Sequence, residues 1–391
     1  MATLLITFTV FGIGFIAAGF IDGYNVALNE PYDYTINATY EHPMTESRIE
    51  EIAEESNTVI TSIKHIDCLL LGVQNNYKNG ERDWGSRIVV SEDNFNVLSG
   101  ATISVPKGSY TVYYDSSMEY KLNAFSAESS LFYNPTTEQE FYFIQNEPIC
   151  YDGLFNTRSV FSSFLILNNE DYRMIAATLA DEYRAVSYMV NVENWQDTMD
   201  FQNNILKAVI SDNNGVIFTN WHNSATFEKT GSQAEYLPFD GNETKIARLW
   251  SLYPLSKLSS TTTQFEAFAT YLMLMLFIAI VAFVSAVMVI GLKLISTIWD
   301  DAEVYNDLRR LGMKRKKIKG LITKQMLFVY FIPTVLGCII GAFTTYRIML
   351  VSGVIYIGET MQLVGCVCGL VLIIQIAIFF ILRSRIMRSY T

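Results

Sequence analysis

The residues that most often catalyse reactions or bind metals are scarce in this chain and poorly spaced for either task. Its three histidines, His42, His65 and His222, have no partner at the spacing of metal ligands. The sequence also lacks a phosphate-binding G-x-x-x-x-G-K-[ST] loop, a G-x-S-x-G nucleophile turn and an H-E-x-x-H zinc motif. We therefore expect no cofactor, no metal and no enzymatic activity of the chain itself.

Five cysteines are too few and too scattered to form a disulfide scaffold. Three of them, Cys338, Cys366 and Cys368, lie in apolar stretches. Only Cys68 and Cys150 share a polar region, where they either form one disulfide or remain thiols. Their separation within a large domain favours thiols.

The residues that best indicate a function form a short amphipathic segment, residues 300–312, which we call the docking segment. Three apolar residues recur in it at i, i+4 and i+7, so they form a stripe on one face of a helix. Acidic residues begin this helix, basic residues end it and a glycine follows, an order that suits the helix dipole and a C-terminal stop. Such a short helix has nothing of its own to cover the stripe, so the stripe must meet a membrane surface or a partner. The residues that we assign to this contact are Val304, Asp307, Leu308, Arg310, Leu311 and Gly312.

Long apolar stretches lie at both ends of the chain. Crossing a hydrocarbon core about 30 Å thick takes roughly 20 helical residues. Thr3 to Ile21 and Phe268 to Leu292 each meet this length, and Met326 to Leu382 supplies two spans divided by a polar turn. A secretory signal peptide is the alternative for residues 1–22, although no basic segment precedes this run. The second span, the longest, either tilts in the membrane or rises above it as a stalk.

Lysine and arginine assign the two sides of the membrane. From Lys293 onward the chain has 13 Lys and Arg against 5 Asp and Glu, whereas Gly23 to Thr263 has 15 against 32, a net charge of −17. Basic residues beside spans favour the cytoplasm. We therefore expect a multi-pass protein of the plasma membrane with an extracellular large domain. A basic run beside a membrane does not indicate binding of nucleic acid.

The large polar region predicts an α/β domain. Thr45 is placed to cap a helix that continues to Glu55, and Thr58 to Val73 has the β-branched composition of a strand. A strand followed by a short helix then occurs twice, in residues 88–98 and 165–175. Ser91 and Asn168 are the expected helix caps, and Gly100 the expected end of the first helix.

The predicted fold class is a membrane α-helical protein with about four transmembrane helices and a large extracellular α/β (α+β) domain between spans 1 and 2. The predicted boundaries are transmembrane helix 1 at 1–22, the extracellular domain at 23–263, transmembrane helix 2 at 264–296, a cytoplasmic coupling loop at 297–324, transmembrane helix 3 at 325–347, an extracellular loop at 348–360, transmembrane helix 4 at 361–382 and a cytoplasmic tail at 383–391.

Pairs of small residues four apart allow transmembrane helices to approach closely. Gly337 and Gly341 form such a pair in the third span, and Gly365 and Gly369 form one in the fourth. These pairs serve packing within the chain or a dimer face. Pro333 is expected to kink or interrupt the third span, because proline frees a carbonyl one turn earlier.

The sequence Asn-Asp-Leu-Arg-Arg-Leu-Gly at 306–312, followed by a basic stretch and a Gln-containing span up to Pro333, resembles the FtsX-like permease family of ABC transporters. The similarity is greatest to the C-terminal half of permeases that confer resistance to bacitracin and other antimicrobial peptides. Pro31 to Ile36 and Val90 to Leu98 add two shorter resemblances.

The resemblance implies partners. In that family a separate ABC ATPase docks on the cytoplasmic loop, a sensor histidine kinase often reports transport, and a peptide or lipid-linked ligand is bound outside. Those permeases usually have ten spans, with the outer domain between the seventh and eighth. This chain is accordingly expected to be a fragment, one half of a split permease, or a four-span member that forms a homodimer.

Three functions agree with these patterns. The first is a permease subunit or half that senses, exports or confers resistance to antimicrobial peptides. The second is a membrane signalling or scaffold protein that regulates a kinase or a cell-wall hydrolase without transport. The third is a four-span permease that extracts lipoproteins or lipids.

The charge distribution predicts the topology directly. In a cysteine-free background, single cysteines at positions 129 and 352, both serine in this sequence, should react with an impermeant maleimide on intact cells. A cysteine at Ser384 should react only after the cells are opened, because the basic tail is expected inside. Labelling of position 384 in sealed cells would show that the topology is the reverse of the one expected.

Overall fold

The computed structural model divides into a helical unit, Met1–Asn25 with Thr262–Thr391, and a sheet domain, Val26–Thr261. The structure describes residues 1–41, 43–116, 130–156, 159–212, 224–231, 254–352, 354 and 356–389. Three residues named above, His42, Ser129 and His222, lie outside this set.

The described residues form ten α-helices. They are α1 (Ala2–Leu28), α2 (Glu46–Glu55), α3 (Glu92–Ser99), α4 (Asn169–Ala176), α5 (Met199–Asp212), α6 (Phe227–Thr230), α7 (Lys257–Asp300), α8 (Ala302–Arg310), α9 (Arg315–Ser352) and α10 (Ile357–Ser389).

Four of these helices, α1, α7, α9 and α10, are long and apolar enough to cross a membrane. This confirms the number of spans expected from the sequence. The helix α7 has 44 residues, which corresponds to about 66 Å at 1.5 Å per residue. Tilts of transmembrane helices reach about 40°, so tilt alone does not fit a helix of this length into a ~30 Å core.

The helices α1 and α9 approach closely at two glycines. A Cβ on Gly337 would lie 2.8 Å from the side chain of Ile6, and a Cβ on Gly341 would lie 2.9 Å from Val10. The hydroxyl of Thr7 also donates to the Gly337 carbonyl at 3.3 Å. Because no larger side chain fits, the two glycines permit this contact within the chain.

The glycine pair of α10 has different surroundings. A Cβ on Gly365 or Gly369 would meet no described atom within 4 Å. One turn after Val10 in α1, by contrast, a Cβ on Gly14 would lie 2.8 Å from Val364 of α10. Pro333 lies inside α9, which continues through it as one helix rather than ending there.

The sheet domain is built on a ten-stranded mixed sheet within the described residues. Its strands are β1 (Tyr34–Thr39), β2 (Ile60–Asn76), β3 (Arg82–Ser91), β4 (Ser109–Tyr114), β5 (Ser130–Tyr133), β6 (Glu140–Gln145), β7 (Ile149–Cys150), β8 (Ser163–Leu167), β9 (Arg184–Val192) and β10 (Leu255–Ser256). The order is β10-β1-β9-β2-β3-β8-β4-β6-β5, and β7 pairs with β4. An additional pairing of β5 with β2 closes the last six of these strands into a barrel.

The strand β2 has apolar residues on both faces. Leu69, Leu71 and Val73 belong to the cluster inside the barrel, together with residues such as Phe132 and Phe143. The alternate residues Ile66, Cys68 and Leu70 belong to a second cluster on the outer side. This explains the continuous apolar run of β2, because successive side chains of a strand point to opposite faces.

One end of the barrel interior is polar. Arg87 of β3 lies opposite Leu71 in the strand register and donates to Asn75 at 2.7 Å. The Tyr110 hydroxyl donates to Gln145 at 2.9 Å. Burial lowers the pKa of the Arg87 guanidinium from its usual value, and these polar partners are what allow such a group to lie in the interior.

Two helices cover the extension of the sheet outside the barrel. Thr45 caps α2 by accepting from the Arg48 amide, and Ile49, Ile52 and Ala53 are its buried residues. The Thr45 cap and the end of this helix at Glu55 were expected from the sequence. The helix α5 packs beside it, with Phe201 and Ile205 in the same cluster.

The sheet domain is therefore built on a barrel with helices against its outside. The expected helix and strand units are present, but the expectation of a general α/β domain did not include the barrel. Barrel closure depends on the contact between β2 and β5, which are far apart in sequence. The structure contains no disulfide between Cys68, which is buried, and Cys150, which is exposed.

The glycines of α9 and α10 provide a matched pair for a stability test. We expect Gly337→Leu to lower the thermal stability of the detergent-purified protein, because overpacking costs about 1–3 kcal/mol. Gly365→Leu should leave stability unchanged, since open space surrounds that position among the described residues. Equal effects of the two substitutions in a thermal melt would contradict the packing of α1 on α9.

Candidate functional site

The docking segment forms the helix α8 and the turn that follows it. Tyr305 is its buried residue and belongs to an apolar cluster that includes Ile298 of α7 and Ile322 of α9. Leu308 and Met313 are partly buried against the same cluster. The helix is therefore seated on α7 and α9 through the face that carries Tyr305 and Leu308.

A polar network fixes α8 to the third turn of α9. The Tyr305 hydroxyl donates to the side-chain oxygen of Gln325, and the Gln325 amide donates to the Asp301 carboxylate. Asp301 directly precedes α8, so Gln325 joins both the beginning and the first turn of this helix to α9. Such bonds between side chains specify one orientation of the helix, which apolar packing alone does less strictly.

The helix ends in a glycine-dependent turn. Gly312 has a φ of +87°, in the left-handed region that glycine adopts without strain. Its amide donates to the Arg309 carbonyl at 3.0 Å, and the Met313 amide donates to the Leu308 carbonyl at 3.0 Å. These two bonds define a Schellman motif, in which the residue after the glycine packs on the last turn. The role expected for Gly312 as the residue that ends the helix is confirmed.

The outward side of the docking segment is apolar at two positions. Val304 is 55% exposed and Leu311 is 84% exposed. They are seven residues apart and therefore lie on nearly the same side of the helix. Asp307 and Arg310 lie nearby and form an exposed ion pair at 3.3 Å, which contributes little to stability.

The structure thus divides the apolar stripe of the sequence. Leu308 contributes to the seat on the membrane helices, whereas Val304 and Leu311 remain exposed. Neither the buried position of Tyr305 nor the contact of Gln325 was predicted from the sequence. A signal was present, because a glutamine in the first turns of an apolar helix needs a polar partner.

A second candidate site is a cavity of about 250 Å³ in the sheet domain. It lies where β3 and β8 end and lead into α3 and α4. These strands are parallel neighbours, with Val90 opposite Ile166 and Ser91 opposite Leu167. Because parallel strands end at the same edge, the two helix starts lie side by side at the cavity.

Side chains at the two helix starts hold each other in place. Ser91 caps α3 and Asn168 caps α4, as expected from the sequence. The Asp93 amide of α3 donates to Asn169 of α4 at 3.2 Å, and the Asn169 side chain donates to Glu92 at 3.0 Å. The first turns of both helices are thus cross-linked through hydrogen bonds.

The loop between α3 and β4 adds further ties to both helices. The Val105 amide donates to Glu92 at 2.7 Å, while the Val105 carbonyl accepts from Asn168 at 2.8 Å. The Gly108 amide donates to the buried carboxylate of Asp171 at 2.7 Å. These bonds make the edge of the cavity a preformed structure.

Charged and phenolic side chains line the cavity. Tyr40 donates from its hydroxyl to the Asp67 carboxylate at 2.8 Å. The Arg184 guanidinium stacks on the Tyr40 ring, 4.3 Å from its centre. Burial, followed by the hydrogen bond to Asp67, raises the pKa of Tyr40 to about 12. Tyr40 is therefore a protonated donor that fixes the direction of the Asp67 carboxylate.

Cys68 and Tyr172 also line the cavity. Burial raises the pKa of both the Cys68 thiol and the Tyr172 hydroxyl above their usual values. Both groups are consequently neutral at physiological pH, and the thiol is not a reactive thiolate.

Arg173 and Asp93 stand at the mouth of the cavity. Their side chains are largely exposed and 3.7 Å apart, longer than a hydrogen bond. Both strand–helix units were predicted from the sequence, but the cavity was not. The sequence signal for the cavity was that polar residues directly follow each of the two strands. Only the parallel pairing of the strands brings these two groups of polar residues together.

Comparison of the chain with protein-family models and with curated proteins finds no match.

The role of Gln325 can be tested by hydrogen exchange. Gln325→Leu should increase exchange of the α8 amides about 30-fold, because it removes two hydrogen bonds that are each worth about 1 kcal/mol. Gln362→Leu, at an exposed position of α10, is the matched control and should leave α8 unchanged. Unaltered protection of α8 in the Gln325 variant would show that apolar packing alone seats the helix.

Proposed function

We propose that this chain is the permease subunit, or one half of the permease, of an ABC transporter of the FtsX-like type. A separate ATPase drives it, and the α8 helix with Leu311 is the ATPase-docking element. The sheet domain is extracellular and receives amphipathic, often cationic, antimicrobial peptides or lipid-bound peptides.

The outward apolar pair on α8 is the observation that carries this proposal. Val304 and Leu311 are exposed although they belong to a helix that is otherwise seated on α7 and α9. A helix held this firmly between two apolar spans can transmit a force applied to it. An apolar patch of two residues, rimmed by Asp307 and Arg310, suits insertion into a cleft of a second protein.

Charge supports the sidedness of the proposal. The basic residues that follow α8, among them Lys314, Lys316 and Lys317, are exposed and lie next to a span. Such residues favour the cytoplasmic side, where an ATPase would be found. The region from Gly23 to Thr263 has a net charge of −17, which attracts cationic peptides over roughly a Debye length of 10 Å.

A lipid surface is the competing contact for the docking segment. If α8 only lay on headgroups, the lysines would supply most of the interaction and Val304 and Leu311 would tolerate polar replacement. If α8 enters a protein cleft, the two apolar residues dominate. A substitution of Leu308 does not distinguish a headgroup contact from a protein cleft, because it would also remove the packing of Leu308 within the helical unit.

The double substitution Val304→Asp with Leu311→Asp tests the docking role. Burial of these side chains is worth about 1.5–3 kcal/mol each, so their loss should weaken ATPase binding at least 100-fold, or about 2.7 kcal/mol. The chain, tagged in its own host, should then lose a stoichiometric P-loop ATPase that accompanies the wild type in detergent. ATP hydrolysis and mass spectrometry of the purified complex provide the measurements.

The matched control replaces Lys314, Lys316 and Lys317 with glutamine and should retain the ATPase. The reverse ranking of the two variants would support a headgroup contact instead. If the wild type is accompanied by no ATPase but by a kinase or a wall hydrolase, the transporter function is wrong and the scaffold function replaces it.

A further inference from the structure

The cavity of the sheet domain contains a carboxylate, Asp67, that is paired with neither of the two arginines in the lining. Asp67 and Arg184 both line it, yet in the described part of the chain no ion pair joins Asp67 to either arginine of the cavity. Asp67 uses one carboxylate oxygen for the Tyr40 hydroxyl. Its other oxygen, Oδ2, accepts no hydrogen bond from a described residue.

The arginines also retain hydrogen-bonding capacity. Arg184 donates from one terminal nitrogen to Asp181 at 3.3 Å, and the rest of its guanidinium has no acceptor among the described residues. Arg173 is 3.7 Å from Asp93 and makes no hydrogen bond to any residue that the structure describes. A guanidinium has five N–H donors, so most of this capacity is available to a ligand.

A ligand of a single charge does not fit this lining. The amides in the first turns of α3 and α4 are already used, since Asn94, Glu170 and Asp93 donate to side chains. Few backbone amides at these helix starts are therefore left to bind an anion. Asp67 opposes a simple anion, and the two arginines oppose a simple cation.

Size limits the ligand as well. A cavity of about 250 Å³ is smaller than the roughly 300–1,000 Å³ of sites for drug-sized molecules. Its polar groups are held by the bonds around Asn169, Val105 and Tyr40, so little ordering is needed when a ligand enters.

We propose that this cavity binds a small zwitterion of the amino-acid or dipeptide class. Its ammonium group meets the free oxygen of Asp67, and its carboxylate meets the guanidinium groups of Arg184 and Arg173. The Tyr172 hydroxyl, which has no hydrogen-bond partner among the described residues, adds a polar contact in the wall. The proposal does not depend on the transporter function, because it concerns binding to the sheet domain alone.

The experiment compares four probes on the full chain in detergent by isothermal titration calorimetry. They are L-alanyl-L-alanine, its N-acetyl derivative, its C-terminal amide, and the doubly blocked peptide. The free dipeptide should bind with a dissociation constant of about 1 mM or tighter. Each singly blocked form should bind at least about 10-fold more weakly, because each has lost one charged hydrogen-bonding group.

Two variants assign the ends of the ligand. Asp67→Asn should abolish the difference between the free dipeptide and its N-acetyl form, while the difference from the amide remains. Arg184→Gln should reduce the difference between the free dipeptide and its amide, with Arg173 retaining part of it, while the difference from the N-acetyl form remains. Arg48→Gln, on the exposed surface of α2, is the matched control and should change neither difference. A substitution that merely loosened the fold would weaken all the probes alike, and a thermal melt of each variant checks this.

Several results would overturn the proposal. Failure of the free dipeptide to bind at about 10 mM would exclude the zwitterion. Equal binding of the N-acetyl form would indicate an anion site, and equal binding of the amide a cation site. Unchanged selectivity in both Asp67→Asn and Arg184→Gln would place the dipeptide elsewhere on the protein.

Discussion

The strand β2 has three hydrogen-bonded neighbours, and the whole sheet domain depends on this arrangement. It pairs with β9 along its first part, with β3 along its second part, and with β5 near Gly72. A Cβ on Gly72 would lie 3.0 Å from the Ala225 carbonyl oxygen and 3.1 Å from the Tyr133 ring, so a side chain at this position would force these neighbours to move back. The strand therefore belongs to the barrel and to the extension at once, and it carries apolar residues on both faces for that reason.

The same strand brings the parts of the cavity together. Asp67 and Cys68 come from β2, the helix starts come from the parallel pair β3 and β8, and Arg184 begins β9. Parallel pairing is what places two strand–helix units side by side, because it directs both strands toward the same edge. Hydrogen bonds between the first turns of α3 and α4 then hold that edge without any ligand.

In the helical unit, one glutamine has a comparable role. Gln325 receives a hydrogen bond from Tyr305 and donates one to Asp301, which commits one face of α8 to the spans and leaves Val304 and Leu311 outside. Polar groups near a membrane are costly unless paired, so the network and the orientation of α8 support each other. The glycines of α9 act by shape instead, since Gly337 and Gly341 allow α1 to lie against the helix backbone.

Local features of the sequence determined many single elements of this protein. The four spans follow from apolar length, the caps Thr45, Ser91 and Asn168 from side-chain chemistry, and the end of α8 from Gly312. These features depend on neighbours within a few residues, which is why a pattern in the chain suffices to predict them.

Only the tertiary structure decided what depends on distant residues. Closure of the barrel requires β5 to meet β2, and the cavity requires β3 to meet β8 across more than 70 residues. The division of the apolar stripe on α8 is of the same kind. The helix period places Leu308 and Leu311 in one stripe, but contacts with α7 and α9 partly bury Leu308 and leave Leu311 exposed. Periodicity shows which side chains share a face of a helix, and only packing shows which part of that face is covered.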